Sequence, residues 1–272
     1  GQRNSLYFTD TGHAGGLVFD FAKPEVRDFL IQNAKFFLTE YRVDGFRYDQ
    51  VSVIDHDGAP EGWRFCQDLT STVHAQRPET LHHAEYWDVN PFIVAPRQVG
   101  AGFDTTLTDG LRMAIRDVVG NASAPDERPL NMTALARSLW PEGFNESWRF
   151  VQGPENHDIV YRGREQRIAR LGDPDHPRSW FARSRARVAT GLSLTAPGIP
   201  MLFMGQEFGQ TAEWADHRGV DWHELDDGPD AHLHRGISLL VRDLNALNRV
   251  HPALYARDTR SDGYEWISVG DA

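Results

Sequence analysis

The stretch that decides the fold is "EYRVDGFRYDQVSV", residues 40–53. Its apolar and aromatic residues are typical of a buried strand, yet Asp44, Arg47 and Asp49 lie among them. Charged side chains are seldom buried unless they are paired. Residues 24–41, directly upstream, have apolar side chains at helical spacing and a proline in the first turn, which predicts a helix leading into this strand. The acids and the arginine therefore require a role beyond strand formation.

Strand-like and helical segments alternate along the rest of the chain. This alternation predicts parallel βαβ units whose helices cover the sheet. About 40 residues separate Asp44 from His83, close to one repeat of a (β/α)8 barrel. A closed barrel and an open doubly wound sheet both fit, although no Gly-x-Gly-x-x-Gly fingerprint of dinucleotide binding follows a strand. The predicted strands are residues 42–51, 80–87, 100–107 and 199–205, together with a strand that runs into a loop within 147–158. The predicted helices are residues 24–41, 59–78, 109–121, 131–141, 178–196 and 232–252.

Composition limits the classes of partner. The chain has 272 residues and a net charge of −11, from 28 basic and 39 acidic side chains, which argues against binding to a nucleic-acid backbone. The one cysteine, Cys66, excludes an intrachain disulfide and a cysteine-based metal site. The sequence contains no signal peptide and no apolar run of about 18 residues. We therefore expect a cytoplasmic protein with no membrane partner. The sequence does not predict an oligomeric state.

Three acids, Asp49, Glu85 and Asp158, lie at the carboxyl end of a predicted strand or just beyond it. In a barrel, that end carries the chemistry. Any one such acid is ordinarily a loop residue or a helix cap. Together, however, they suit glycoside cleavage with retention, which uses one carboxylate as nucleophile and one carboxylic acid as proton donor. Arg47 lies two residues before Asp49, on the same strand face, and would keep Asp49 ionised. A third acid can stabilise the positive charge of the transition state.

Three segments resemble the catalytic segments of the α-amylase superfamily of (β/α)8-barrel glycosidases and glucanotransferases. They are "VDGFRYD" (43–49), "HHAEYW" (82–87) and "ENHD" (155–158), in that order. The resemblance implies an α/β chain with the (β/α)8 TIM-barrel fold. It also implies that residues 1–272 are part of a single catalytic barrel domain, covering roughly the fourth to eighth βα units of a longer protein. The strand-like residues 264–272 would begin a C-terminal β domain.

The same resemblance assigns roles to individual residues. It implies that Asp49 is the nucleophile, Glu85 the general acid/base and Asp158 the stabiliser of the transition state. Arg47 would correspond to the arginine beside the nucleophile, and His157 to the histidine that contacts the sugar. Asp44, at the start of the strand, is then expected to make structural hydrogen bonds.

Aromatic and histidine side chains are further candidates for contacts with a ligand. Trp87, two residues beyond Glu85, is the preferred platform for a sugar ring, and Trp214 is the second choice, although such aromatics more often serve packing. His82 and His83 are adjacent, so they point to opposite faces of a strand and cannot both bind one metal ion. We expect no metal and no cofactor, and an α-glucan as the substrate.

The C-terminal third resembles bacterial 1,4-α-glucan branching enzymes, in "MLFMGQEFGQTAEW" (201–214), "VDWHELD" (220–226) and "LLVRDLNALNRVHPALY" (239–255). The leading prediction is a retaining glucanotransferase that cleaves α-1,4 bonds and forms α-1,6 branches. Tyr86 and Trp87 after Glu85 depart from the acid or small polar residue usual in branching enzymes, and Asn156 before His157 is more typical of hydrolytic relatives. An α-glucan hydrolase, such as an α-amylase or a maltooligosyltrehalose trehalohydrolase-like enzyme, is therefore the alternative. A non-catalytic glucan-binding barrel is the alternative from another class.

Overall fold

The computed structural model divides into two compact units, residues 1–107 and residues 108–272. In the part of the chain that it describes, no helix is both long enough and apolar enough to cross a bilayer. The described residues are 5–126, 128–161, 164–226 and 228–270.

The first unit combines an antiparallel hairpin with three parallel strands. Strands β1 and β2 form the hairpin. Strand β4 pairs in parallel with β3 on one side and with β5 on the other, and Tyr48 lies opposite Ala84 at the carboxyl end of the β3–β4 pair. The elements are β1 (Phe8–His13), β2 (Gly16–Phe19), α1 (Pro24–Phe36), β3 (Gly45–Tyr48), α2 (Val51–His56), α3 (Glu61–Gln76), β4 (Leu81–Ala84) and β5 (Thr105–Leu107).

Helix α3 shows why these elements form. Its apolar residues Phe65, Leu69 and Val73 recur every four positions and are all buried. Burial of one such side chain stabilises the fold by about 1.5–3 kcal/mol. Strands β3 and β4 approach so closely that a Cβ at Gly45 would lie 2.5 Å from the carbonyl oxygen of Leu81, so this position requires glycine.

The second unit places helices against a short parallel strand pair. Val151 of β6 lies opposite Ile199 of β7. Ser179 caps α7 by accepting a hydrogen bond from Ala182 N, as serine does at many helix starts. The elements are α4 (Gly110–Ser123), α5 (Met132–Ser138), β6 (Phe150–Gln152), α6 (Ile168–Leu171), α7 (Trp180–Thr195), β7 (Ile199–Pro200) and α8 (Ala231–Val250).

The core of the second unit is built from the facing sides of four helices. Leucine, isoleucine, valine and alanine side chains at helical spacing supply it, so each helix buries one stripe and exposes the opposite one. Tyr264 and Trp266 pack against this cluster, and residues 264–270 contain no strand. The β domain expected to begin at 264–272 stays a prediction, as does the assignment of residues 1–272 to one barrel domain. The buried members are Leu111, Ala114, Ile115, Val119, Leu135, Leu139, Ile168, Ala169, Ala186 and Ala189.

All five predicted strands are shorter in the structure, and two of them show why. The segment 42–51 contains only the four residues of β3, because Gln50 adopts a left-handed conformation and α2 begins directly after it. The segment 199–205 contains only β7. Its partner strand β6 is followed by Gly153 and Pro154. The hydrogen bonding between β6 and β7 ends there because Pro154 has no N–H to donate.

Candidate active site

The parallel register of β3 and β4 brings two of the predicted acids together. Asp49 follows β3 and Glu85 follows β4, one position beyond the Tyr48–Ala84 pair. The pairing continues past the strands, since Glu85 N donates to Tyr48 O at 2.9 Å and Val51 N donates to Glu85 O at 2.9 Å. Asp49 and Glu85 therefore both lie at the carboxyl end of the strand pair.

Arg47 joins these two carboxyl groups. Its guanidinium binds Asp49 Oδ1 through Nη1, and its Nη2 lies 2.6 Å from Glu85 Oε1. The contact with Asp49 follows from their spacing on one strand face. The contact with Glu85 was not predicted, because it depends on the register of a second strand. One cation thus faces two acids, as expected where two carboxyl groups must work side by side.

The two acids differ sharply in their surroundings. The side chain of Asp49 is 73% exposed, whereas that of Glu85 is 1% exposed. An exposed carboxylate can reach a ligand directly, whereas a buried one is shielded from solvent by the residues around it. Paired carboxyl groups in unlike environments are the usual arrangement for a nucleophile and an acid/base.

Gln50 is a site residue that the sequence analysis missed. Its backbone lies in the left-handed region, at φ 52° and ψ 44°, and its N–H donates to Glu85 Oε2 at 2.8 Å. A non-glycine residue in this region costs of order 1–3 kcal/mol and is often found at functional sites. No sequence signal marks it, because left-handed positions favour glycine, asparagine and aspartate rather than glutamine.

Two histidines of β4 precede Glu85 in the chain and have lowered pKa values. His82 is fully buried, its Nδ1 is 2.9 Å from the Tyr48 hydroxyl, and burial lowers its pKa to about 4. His83 Nδ1 lies 2.8 Å from Thr105 Oγ1. The pKa of His83 is lowered to about 4, mainly by burial and secondly by the nearby charge of Arg47. Both rings are therefore neutral near pH 7, and Arg47 supplies the positive charge next to the two acids.

Aromatic side chains follow Glu85 directly. Trp87, the predicted sugar platform, is half-buried. Tyr86 is buried, and its hydroxyl donates to Asp55 Oδ2 at 2.8 Å and lies 3.1 Å from His56 Nε2. Burial raises the pKa of Tyr86 to about 12. Tyr86 thereby holds the end of α2 against the segment that carries Glu85.

The other predicted residues lie in the loop that follows β6, in the second unit. Asn156 Oδ1 accepts from Asp158 N at 3.0 Å and from Ile159 N at 3.1 Å, which forms a tight turn. His157 Nε2 is 3.4 Å from Asp158 Oδ2, and their side chains are 45% and 37% exposed. The turn thus presents an acid and a histidine together to solvent.

Trp214 lies beside this pair within the same unit. Its ring packs edge-on against His157 with 6.0 Å between ring centroids, and Trp214 N donates to Val160 O at 3.0 Å. The structure thus joins Arg47, Asp49 and Glu85 in the first unit, and His157 and Asp158 in the second. The common site for all three acids stays a prediction. Among the described residues, no group of three or more His, Cys, Asp or Glu side chains could hold a metal ion.

Comparison with known proteins gives matches along most of the chain. Residues 3–237 match the model of the α-amylase catalytic domain. The 1,4-α-glucan branching enzyme GlgB of Rhodococcus jostii is 34% identical over 279 aligned residues, covering 94% of this chain and 36% of that protein. The GlgB of Mycobacterium bovis is 33% identical and covers 95% of this chain and 36% of that protein. The chain thus spans about a third of the length of these relatives.

A solved structure shares the fold. Pullulanase from Paenibacillus barengoltzii, in complex with maltohexaose and α-cyclodextrin, superposes with a TM-score of 0.60 at 21% sequence identity. The match covers 88% of this chain and 38% of the pullulanase chain. Together with the match to the family model, it confirms the predicted fold class, with parallel βα units of a (β/α)8 barrel.

Proposed function

The chain belongs to the α-amylase catalytic-domain family, and on that premise we propose that the protein is a retaining enzyme acting on α-1,4-glucans. We further propose that it is a 1,4-α-glucan branching enzyme, the activity named for its GlgB relatives. The observation that carries the proposal is the contact of the single Arg47 guanidinium with both Asp49 and Glu85.

The first half-reaction assigns a separate task to each acid. Asp49 is exposed and paired with a cation, and it attacks the anomeric carbon of an α-1,4-linked glucose. Glu85 gives a proton to the departing glycosidic oxygen, and a covalent glycosyl-enzyme forms. Asp158 stabilises the positive charge that develops on the sugar ring. His157 contacts the sugar, and Trp87 stacks on its apolar face.

The second half-reaction uses Glu85 as a base. It takes a proton from the 6-hydroxyl group of another glucan chain, which then attacks the glycosyl-enzyme to form an α-1,6 branch. Arg47 Nη2 and Gln50 N donate to the two Glu85 oxygens. This arrangement corresponds to the carboxylate form that Glu85 needs at this stage.

Hydrolysis is the second candidate, because it requires the same acids with water as the acceptor. Asn156 before His157 favours it, and Tyr86 and Trp87 after Glu85 depart from the usual branching-enzyme pattern. Against hydrolysis, the two GlgB relatives that match nearly the whole of this chain are named as branching enzymes. A non-catalytic glucan-binding barrel is the third candidate. The presence of all three acids disfavours it. Location in the cytoplasm remains part of the proposal.

The deciding experiment supplies linear α-1,4-glucan to the full-length protein. Proton NMR counts new α-1,6 linkages while a reducing-end assay counts cleaved chains. Branches that form without net reducing ends support transfer, and reducing ends without branches support hydrolysis. Asp49→Asn is expected to abolish both. The matched control is Asp44→Asn, on the same segment with a side chain 98% exposed, and it is expected to keep both. Full activity in Asp49→Asn would overturn the assignment of the nucleophile.

A further inference from the structure

A buried ion pair anchors the loop that carries Asp158. Arg167 Nε donates to Glu155 Oε2 at 2.7 Å, and both residues are 1% exposed. The other oxygen, Glu155 Oε1, accepts from Ile168 N. Glu155 lies three residues before Asp158 and is too deeply buried to touch a substrate. Its carboxylate is nevertheless held at both oxygens.

Arg167 also reaches the loop that follows β7. Its Nη2 donates to Met204 O at 3.0 Å, and its guanidinium lies 5.3 Å from the ring centroid of Phe203. The Arg167 side chain therefore forms hydrogen bonds with both the loop after β6 and the loop after β7. Trp214 N, which donates to Val160 O, forms a second tie between the same two loops.

A second arginine holds the backbone beside this pair. Arg116 of α4 is buried and donates to Pro154 O at 3.3 Å and to Gln166 O at 2.5 Å. These carbonyls belong to the residues just before Glu155 and Arg167. Arg116 also pairs with Glu165. We call Glu155, Arg116 and Arg167 the loop clamp.

We propose that the loop clamp positions Asp158 for the reaction, so that it determines turnover rather than substrate affinity. The inference rests on the proposed role of Asp158. A buried ion pair is weak evidence for stability, since apolar residues of similar volume often serve as well, but it fixes one geometry. From Glu155 the chain passes straight into the Asn156 turn, so a shift at Glu155 moves Asp158. A displacement of about 1 Å can reduce a rate by about 100-fold.

The main test is the double variant Glu155→Gln/Arg167→Met, which removes both charges, changes the volume little and leaves an amide oxygen to accept from Ile168 N. We expect its melting temperature to stay close to that of the parent. We expect kcat to fall at least about 30-fold while KM changes less than about threefold, because only transition-state contacts are lost. The matched control is Leu135→Ala, in the core of the same unit, which we expect to lower the melting temperature and to leave kcat unchanged.

Hydrogen exchange supplies a readout that does not depend on activity. The amides of Asp158 and Ile159 donate to Asn156 Oδ1, so segment 153–161 should be protected in the parent and exchange at least about tenfold faster in the double variant.

Arg167→Lys keeps the charge but cannot reproduce the forked contacts, and we expect an intermediate loss of kcat.

Each outcome decides the proposal. Normal kcat or unchanged exchange in a folded double variant overturns it. So does a parent in which segment 153–161 exchanges as fast as an exposed loop, a measurement that requires no variant to fold. If the parent has no activity on glucan, the proposed function fails by itself, and the exchange comparison alone still decides whether the clamp orders the loop.

Discussion

Arg47 Nη2 lies 2.6 Å from Glu85 Oε1, and the same guanidinium binds Asp49. One side chain therefore holds the exposed and the buried carboxyl groups at a fixed separation. A guanidinium can do this because its donors form a planar fork, which an ammonium group lacks.

The first prediction concerns this fork. Arg47→Lys keeps the charge but cannot contact both acids, so we expect kcat to fall about 100-fold with the melting temperature little changed. Steady-state kinetics on linear α-glucan measures the effect. Arg64→Lys, at a side chain that is 64% exposed, is the control and should have no effect. Activity of Arg47→Lys within threefold of the parent would contradict the bridging role.

The second prediction concerns the left-handed backbone at Gln50. Gln50→Gly relieves the strain at this position, so we expect its free energy of unfolding to equal or exceed that of the parent. Gln50→Val places a β-branched residue there and should lower it by about 1–2 kcal/mol. Urea unfolding measures both variants. Equal stability of the valine and glycine variants would show that Gln50 is not held in this conformation.

The third prediction is a loss of stability in acid. The pKa values of His82 and His83 are lowered by burial from 6.5 to about 4. Between these pH values the unfolded chain binds more protons than the folded one. The stabilisation is thus fully present above pH 6.5 and is lost as the pH falls toward 4, by at most about 3 kcal/mol for each histidine.

Thermal unfolding between pH 7.5 and 4.5 tests this acid dependence. His82→Gln should reduce the fall in melting temperature per pH unit, whatever its own effect on stability at neutral pH. His217→Gln, at a side chain 78% exposed, is the control and should retain the parent's slope. A parent whose stability does not change between pH 6.5 and 4.5 would exclude neutral buried histidines.

The fourth prediction concerns the close approach of β6 and β7. A Cβ at Gly153 would lie 2.0 Å from Met201 O, which forces the backbone to move. We expect Gly153→Ala to lower the free energy of unfolding by about 3 kcal/mol or more, in the range typical of core disruption. Gly236→Ala is the control, because its helical site has open space and alanine should stabilise it by about 0.5–1 kcal/mol. Similar stability of the two variants would refute the close contact.

Local pattern was enough to predict the long helices and the positions of the acids. Helix α1 was predicted because its apolar residues repeat at helical spacing, and the ends of α3 and α7 were predicted from the turn and proline residues that flank them. Asp49 and Glu85 were identified because each follows a strand within a recognisable segment. The roles assigned to these acids, and to Asp158, His157 and Trp87, stay proposals.

The sequence by itself determined that parallel βα units form and where in the chain the candidate acids lie, because periodicity and short motifs are local properties. Only the tertiary structure decided that Arg47 also binds Glu85, that Gln50 turns its N–H toward the same carboxylate, and that Arg167 anchors Glu155. These contacts join residues that are distant in the chain or depend on the backbone conformation of one residue. They form because of the strand register and the burial of the side chains, and neither of these can be read from a local pattern in the sequence.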